Sequence, residues 1–228
     1  MGILLMLFAT VANGSDRLLS QADSLFQSQK YTEAFSVYEA LMDQGSTSAS
    51  MLLKMAFIQD ASDNYAEALY YLDLYYQKSA DRLVIGKIEE LAEEHTLAGY
   101  SYDDSHYFLA LLARFKNQIL ILLFSVMGLL LAYIVMKARA GEKAFIPAVF
   151  QVLASVLLLL VINISPPVKA IVANDQALLR SGPSAGAEPV EFIDRGHKVT
   201  VIDQSDVWTK ILWNGEEVFV RNDRLKII

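Results

Sequence analysis

The three histidines of the chain could act as metal ligands or acid–base groups, but their spacing favours neither role. His95, His106 and His197 are far apart, and none lies three or four residues from another, as a helical metal-binding pair requires. The chain has no cysteine, which excludes disulfides, thiolate zinc sites and a cysteine nucleophile. We therefore expect no bound metal and no cofactor.

Four clustered carboxylates, Glu89, Glu90, Glu93 and Glu94, are the other candidate for chemistry. General acid–base catalysis needs two groups in different environments, whereas this run is typical of one solvated helix face. The chain also has no glycine-rich phosphate loop and no nucleophile-elbow motif. The sequence therefore predicts a protein that is not an enzyme.

The residues that remain are candidates for binding, and a repeat in the first part of the chain positions them. Residues 30–34 read KYTEA, and residues 64–68 read NYAEA, 34 positions later. Apolar residues around both copies follow the spacing of paired amphipathic helices. Residues 15–98 are therefore predicted to form two helix pairs, closed by a capping helix with an acidic outer side.

This period and the repeated Tyr-x-Glu-Ala pattern resemble the tetratricopeptide repeat family. In that family the first helix of each pair lines a concave groove that binds peptides. The resemblance therefore implies a partner-binding groove, and its candidate residues are Asp23, Phe26, Lys54, Phe57 and Asp60. For Phe26 and Phe57, packing between the repeats is an equally good interpretation.

Two apolar stretches account for the high hydrophobic content of 54%. We predict transmembrane helices at residues 117–137 and 145–164, since each can cross a hydrocarbon core of roughly 30 Å. A linker or interfacial helix is predicted at 99–116, and a short linker at 165–169. The connecting loop, residues 138–144, is basic and is expected to stay in the cytoplasm.

The apolar N-terminus predicts a cleaved secretory signal at residues 1–14, although no basic residue precedes it. A signal and two spans would leave both polar regions on the outer side of the inner membrane. The alternative is a buried N-terminal helix, with both polar regions in the cytoplasm.

Residues 170–228 change from helical to strand-like spacing. Five short strands are predicted, at residues 177–179, 190–193, 198–202, 208–213 and 217–220. Asn214-Gly215 between the last two is the strongest short-range signal for a hairpin. We expect a small all-β barrel.

The same residues resemble the bacterial SH3 family, whose pattern is matched by LLRSGPS at 178–184, GHKVTV at 196–201, WTKI at 208–211 and VFV at 218–220. The family's closing Trp is replaced by Phe219. The candidate binding aromatics of the barrel are Trp208, Trp213 and Phe219, although Trp208 and Phe219 fit the core equally well.

The order of the parts resembles the BatE-type proteins of bacterial aerotolerance (Bat) operons. That resemblance implies a membrane-anchored scaffold in the cell envelope, with other Bat proteins as partners and a link to stress tolerance. The alternative is an envelope sensor, or a protein that binds peptidoglycan through its SH3-like domain. Charges of −10 over residues 15–113 and −2 over 170–228 argue against nucleic acid as a partner, while +5 over 114–169 suits a lipid bilayer.

Overall fold

The computed structural model describes the backbone of residues 2–102, 104–164 and 166–228, and the side chains of 15–102, 107–164 and 166–228. Within these residues, helices come first and strands follow. The chain divides into two compact units, Met1–Ser101 with Pro167–Ile228, and Tyr102–Pro166. The first unit therefore contains both regions that flank the apolar helices.

Two helical hairpins begin the first unit, followed by a single helix. The structure gives them as α1 (Gly2–Gln27), α2 (Tyr31–Asp43), α3 (Ala49–Ala61), α4 (Tyr65–Ser79) and α5 (Leu83–Glu94). Helix α1 packs against α2, α3 packs against α4, and α5 packs against α4. We call residues 15–101 the helical domain.

The turns of the two hairpins repeat at the spacing seen in the sequence. Lys30 donates its backbone N–H to Leu25, and Asn64 donates to Gln59, both at 2.9 Å. Between them, Gln29 and Asp63 adopt left-handed φ angles of 59° and 57°. Each bond and each φ recurs 34 residues later, so the sequence repeat is also a structural repeat.

Small residues let the paired helices approach closely. Ala34 and Ala68 are fully buried at equivalent positions of α2 and α4, and Ala22 and Ala56 are buried on α1 and α3. Helix α5 ends in the same turn, with Thr96 at φ 55° and Leu97 donating to Ala92 at 2.8 Å. It therefore resembles the first helix of a third pair.

Helix α1 runs without a break from the predicted signal sequence into the first repeat. The side chains of residues 2–14 lie outside those described. An apolar helix is required both by a signal sequence and by a buried N-terminal helix, so the signal sequence stays a prediction.

The second unit contains α6 (Asp104–Arg139) and α7 (Phe145–Asn163), which contact each other. Both are long and apolar enough to cross a membrane. None of the most apolar window of α6 is buried, and only 11% of that of α7, whereas the core helix of a soluble protein would be mostly buried. Ser125, Ser155 and Asn163 each donate a side-chain hydrogen bond to a carbonyl one turn earlier, so these donors are satisfied within their helices.

Helix α6 contains both the predicted interfacial helix and the predicted first span. Its 36 residues extend about 54 Å, with no boundary between the predicted interfacial helix and the predicted first span. Residues 114–118 contain no glycine or proline to interrupt the helix. The orientation of residues 104–116 to a membrane surface stays a prediction.

The C-terminal part, Pro167–Ile228, is an antiparallel sheet that we call the β domain. Its strands are β1 (Lys169–Val172), β2 (Ala177–Arg180), β3 (Pro189–Ile193), β4 (Lys198–Ser205), β5 (Trp208–Trp213), β6 (Glu216–Arg221) and β7 (Leu225–Ile227). Their order in the sheet is β3-β2-β6-β5-β4-β1-β7. The five predicted strands are present, and β1 and β7 are additional.

The residues of the β5–β6 turn and the alternation of buried and exposed side chains explain how the sheet forms and which face covers the core. Asn214 and Gly215 both have positive φ, at 50° and 85°, as a two-residue hairpin turn requires. Along β5, Thr209 and Ile211 point inward, while Lys210 and Leu212 point outward. Ile211 belongs to a core with Leu179, Val199, Val218 and Val220, among others.

Candidate binding surfaces

An aromatic cluster joins the two hairpins of the helical domain. The rings of Phe26, Tyr31 and Phe57 lie 5.4, 5.7 and 5.8 Å apart, and each pair meets edge to face. Phe57 nevertheless remains 51% exposed. The predicted groove residues Phe26 and Phe57 therefore pack between the repeats and also present an apolar surface. Tyr31 was not among the predicted groove residues, although its equivalence to Tyr65 in the repeat distinguished it from its neighbours.

A charged group lies beside this cluster. Asp23 accepts hydrogen bonds from Lys54 at 2.7 Å and from the hydroxyl of Tyr38 at 2.6 Å. Burial acts to raise the pKa of Asp23, but these two bonds and the charge of Lys54 outweigh it and lower the pKa below its usual value. Lys54 also lies 5.9 Å from the centre of the Phe26 ring. We call Phe26, Tyr31, Lys54 and Phe57 the aromatic surface.

Asp60, the fifth predicted groove residue, has a different partner. Its carboxylate lies 3.4 Å from the ammonium of Lys87 on α5. Both side chains are more than a third exposed, so this ion pair adds little to stability. The ion pair links α3 to α5, and Asp60 is not part of the aromatic surface.

The three candidate aromatics of the β domain occupy two different environments. Trp213 packs against the core, donates its indole N–H to Glu191 at 2.8 Å and meets the His197 ring edge to face at 5.3 Å. Trp208 and Phe219 are half-buried and alternate with the inward residues of β5 and β6. They therefore lie on the outer face of the sheet, outside the core.

The outer face continues onto the edge strand β3. Phe219 lies opposite Arg180 on β2, and Phe192 on β3 lies opposite Leu178 on β2. Phe192 is 64% exposed, and Val190 two residues earlier is 46% exposed. Neither residue was among the predicted binding aromatics or their neighbours, because strand alternation alone does not show which face of an edge strand is covered.

The helical and β domains are joined by a buried ion pair. The ammonium of Lys198 on β4 lies 2.6 Å from the carboxylate of Asp73 on α4, and each side chain is only 3% exposed. Tyr100 completes the cluster, with its ring centre 5.3 Å from that ammonium and its hydroxyl donating to the Gly196 carbonyl at 2.6 Å. Burial, with the charge of Asp73, raises the pKa of Tyr100. This interface was not predicted from the sequence.

Weaker contacts surround the ion pair on α4. Arg195 donates to the hydroxyl of Tyr65 at 3.3 Å and lies 5.0 Å from the centre of its ring. The same ring stacks on His95, at 3.8 Å between centroids. Lys226 on β7 pairs with Glu67. His95 is therefore a packing residue in this interface.

Backbone contacts close the seam between the domains. Lys198 donates its backbone N–H to the Ala98 carbonyl at 3.0 Å, and Ala98 donates its own to Nδ1 of His197 at 3.0 Å. Gly99 has φ 93°, and a Cβ there would lie 2.0 Å from the Lys198 carbonyl oxygen. Only glycine permits so close an approach.

The imidazole of His197 must be neutral at Nδ1 to accept this hydrogen bond. Burial lowers its pKa, and the charges of Asp194 and Glu191 oppose that effect only in part. Docking of the two domains is therefore coupled to the protonation of one histidine.

A small cleft lies beside the seam, with Gly99, Lys198 and Trp213 among its lining residues. Its volume is about 180 Å³, below the roughly 300 Å³ of ordinary ligand pockets. Among the side chains that the structure describes, which do not include that of His106, no group of three or more His, Asp or Glu residues could hold a metal ion. The expectation of a non-enzymatic protein stays a prediction.

The family model of the bacterial SH3 domain matches residues 175–226. The match spans β2 to β6 and all but the end of β7, and it confirms the resemblance read from residues 178–220. No curated protein and no solved structure matches the chain.

Proposed function

We propose that this protein is a non-enzymatic scaffold anchored in the inner membrane of a bacterium. Its helical domain, of the tetratricopeptide type, and its SH3-like β domain would bind other envelope proteins, with α6 and α7 as the anchor. The resemblance to BatE-type proteins makes other Bat proteins the first partners to test. The observation that carries this proposal is the docking of the two domains.

The docking of the helical and β domains supports a topology in which both lie on the same side of the membrane. The buried pair of Asp73 and Lys198 joins a residue that precedes α6 to a residue that follows α7. Such a pair forms only if the chain crosses the membrane an even number of times between them. Two crossings, by α6 and α7, satisfy this condition, so both polar domains share one side.

The basic connection between α6 and α7 supports the outer side for the domains. Lys137, Arg139 and Lys143 oppose a single acidic residue, Glu142. Short basic loops stay in the cytoplasm, which leaves the helical and β domains facing outward. The predicted signal sequence independently gives the same orientation.

The aromatic surface is the part of the helical domain best suited to a partner. The contacts described for the β domain involve α4 and the segment after α5, and Phe57 keeps half of its surface exposed. Lys54 is already paired with Asp23, so the surface offers aromatic contact with little net charge. A partner segment with an exposed apolar side chain fits this chemistry.

Cysteine labelling tests the topology, because the chain has no native cysteine. Single variants Gln77→Cys in the helical domain, Ala185→Cys in the β domain and Ala140→Cys in the loop all lie at exposed positions. A membrane-impermeant maleimide should label the first two in intact spheroplasts and the third only after lysis. Labelling of Gln77→Cys and Ala185→Cys on opposite sides would contradict the docking, and the reverse pattern would invert the orientation.

Partner capture tests the scaffold role. Cross-linking in membranes carrying the full chain should recover specific envelope proteins, and Phe57→Ala should reduce that recovery several-fold. Leu83→Ala is the matched control, since it removes an exposed apolar side chain from α5, a helix that contributes no residue to the aromatic surface. Equal recovery with both variants would show that the aromatic surface is not the binding site.

The aromatic side chains on the outer face of the β domain, the exposed Phe192 and the half-buried Trp208 and Phe219, favour a second candidate function. The match to the bacterial SH3 family suggests binding to peptidoglycan or to protein. Trp208, Phe219 and Phe192 would offer stacking surfaces for sugar rings. The full chain in detergent should then sediment with purified peptidoglycan. Trp208→Ala should abolish sedimentation, whereas Trp213→Phe, on the core side, should preserve it.

A further inference from the structure

An open cleft lies where α6 ends and α7 begins. Its volume is about 610 Å³, large enough for a drug-sized molecule or for the head group and the adjoining acyl segment of a lipid. Leu130, Tyr133 and Lys137 contribute from α6, at spacings that place them on one helix face. Phe145 and Phe150 contribute from the start of α7, and Lys143 from the loop.

The cleft is lined by both apolar and basic side chains. Leu130, Phe145 and Phe150 form the apolar part, while Tyr133, Lys137 and Lys143 form the polar rim. Lys137 pairs with Glu142 at 3.0 Å and lies 5.8 Å from the centre of the Tyr133 ring. Among the contacts described for this unit, Lys143 has no acidic partner, so the rim carries an excess positive charge.

A ligand that complements this cleft needs an anionic head and an apolar tail. A free anion would use the lysines but leave the apolar part empty, and a neutral lipid would leave the charge of Lys143 unmatched. Lysines and tyrosine next to an apolar span also lie at the depth where phospholipid head groups are found.

We propose that this cleft is a binding site for an anionic phospholipid, with the phosphate between Lys137 and Lys143 and an acyl chain against Phe145 and Phe150. The inference rests on the proposed insertion of α6 and α7 in a membrane. It adds a specific lipid contact to an anchor whose helices otherwise expose mostly apolar side chains.

Native mass spectrometry of the full chain tests this site. The protein is released from detergent micelles holding equal amounts of phosphatidylglycerol and phosphatidylcholine, and the ratio of the two adducts is measured. The wild type should retain phosphatidylglycerol preferentially, and Lys143→Gln should lower the ratio about fivefold, the value expected for one lysine near anionic lipid. Lys137→Gln should have a smaller effect, because Glu142 already neutralises that charge.

Arg139→Gln is the matched control. It removes the same charge from the same loop, but Arg139 does not line the cleft. Equal losses with Arg139→Gln and Lys143→Gln would show general electrostatic attraction and overturn the site, as would equal retention of the two lipids by the wild type. Release of the lipid by inorganic phosphate would show an anion site in place of a lipid site.

Two further measurements separate this inference from the proposed function. Thermal unfolding without added lipid shows that the variants fold like the wild type. Recovery of the chain from cells without detergent would contradict the membrane anchor itself. A membrane-integral protein that shows no preference for phosphatidylglycerol would contradict the lipid site alone.

Discussion

The pair formed by Asp73 and Lys198 is the most consequential contact at the scale of single residues. A fully buried charge without a partner is costly, and a one-sided substitution exposes that cost. Lys198→Met should therefore destabilise the full chain by about 3–5 kcal/mol, measured by chemical unfolding in detergent. Lys226→Met is the control, since its pair with Glu67 is partly exposed and should be worth less than about 1 kcal/mol.

A double variant separates the charge from the packing. Asp73→Leu combined with Lys198→Met removes both charges, and should recover much of the stability that the single variant loses. If the double variant is as unstable as the sum of the two single variants, the ion pair does not act as a unit.

His197 makes the stability of the interface depend on pH. Its pKa is lower in the folded chain than the ordinary value of 6.5, so the unfolded chain binds more protons between these two values. Its contribution to stability is fully present above about pH 6.5 and is lost as the pH falls through the folded-state pKa. The unfolding midpoint should be lower at about pH 5.5 than at about pH 7.5.

His197→Asn keeps an acceptor for the Ala98 N–H but carries no titrating charge. Its unfolding midpoint should therefore change less between these two pH values than that of the wild type. Asp23 does not contribute to the difference between these two pH values. Its pKa is below the ordinary value, so the stability that its charge provides is lost only in more acidic solution. An unchanged pH dependence in His197→Asn would assign the effect to other groups.

At the scale of elements, local patterns in the sequence were enough to predict most of the helices and strands. The turns at Gln29 and Asp63, 34 residues apart, have the same hydrogen bond and the same left-handed φ. Asn214-Gly215 forms the expected hairpin turn. These features are set by neighbours within a few residues. The predicted interfacial helix and first span form one continuous helix, because nothing in the local sequence ends the helix near residue 116.

Contacts between distant residues were not predicted from the sequence. Strands β1 and β7 have only four and three residues, and they pair across more than 50 positions of the chain. Four of the five predicted groove residues lie together around the Asp23–Lys54 pair, but only the structure shows that Asp60 pairs with Lys87 and that Tyr31 joins the ring cluster. The lysine of the interface follows a histidine and a glycine in a motif already explained by the SH3 resemblance, so nothing marked it for a second role.

The segment after α5 gives the prediction at this scale. Gly99→Ala would place a Cβ against the Lys198 carbonyl, in addition to the strain of a positive φ. Gly215→Ala has a similar φ of 85° but nothing within 4 Å, so it isolates the backbone cost of a left-handed φ, about 1–2 kcal/mol. Gly99→Ala should therefore destabilise the protein clearly more than Gly215→Ala in thermal unfolding, and equal effects would show that the seam is not closely packed.

At the scale of the whole molecule, docking changes how the two polar domains should be understood. The sequence presents them as separate modules on either side of an apolar pair of helices. The structure places them in one compact unit, in which β1 has Ile171 buried outside the β core and contacts α4. A partner that binds the aromatic surface therefore meets a fixed platform, the docked helical and β domains. Little freedom of motion between these two domains is lost on binding.

Hydrogen exchange on the full chain in detergent tests this platform directly. The amides of Ala98 and Lys198 both donate across the seam, so they should exchange as slowly as amides in the β core such as that of Ile211. Lys198→Met should release the two seam amides first, while Ile211 stays protected, because the β core does not depend on the ion pair. Rapid exchange of Ala98 in the wild type, with Ile211 protected, would mean that the domains are undocked in solution, and the argument for a shared side of the membrane would then rest on the labelling experiment alone.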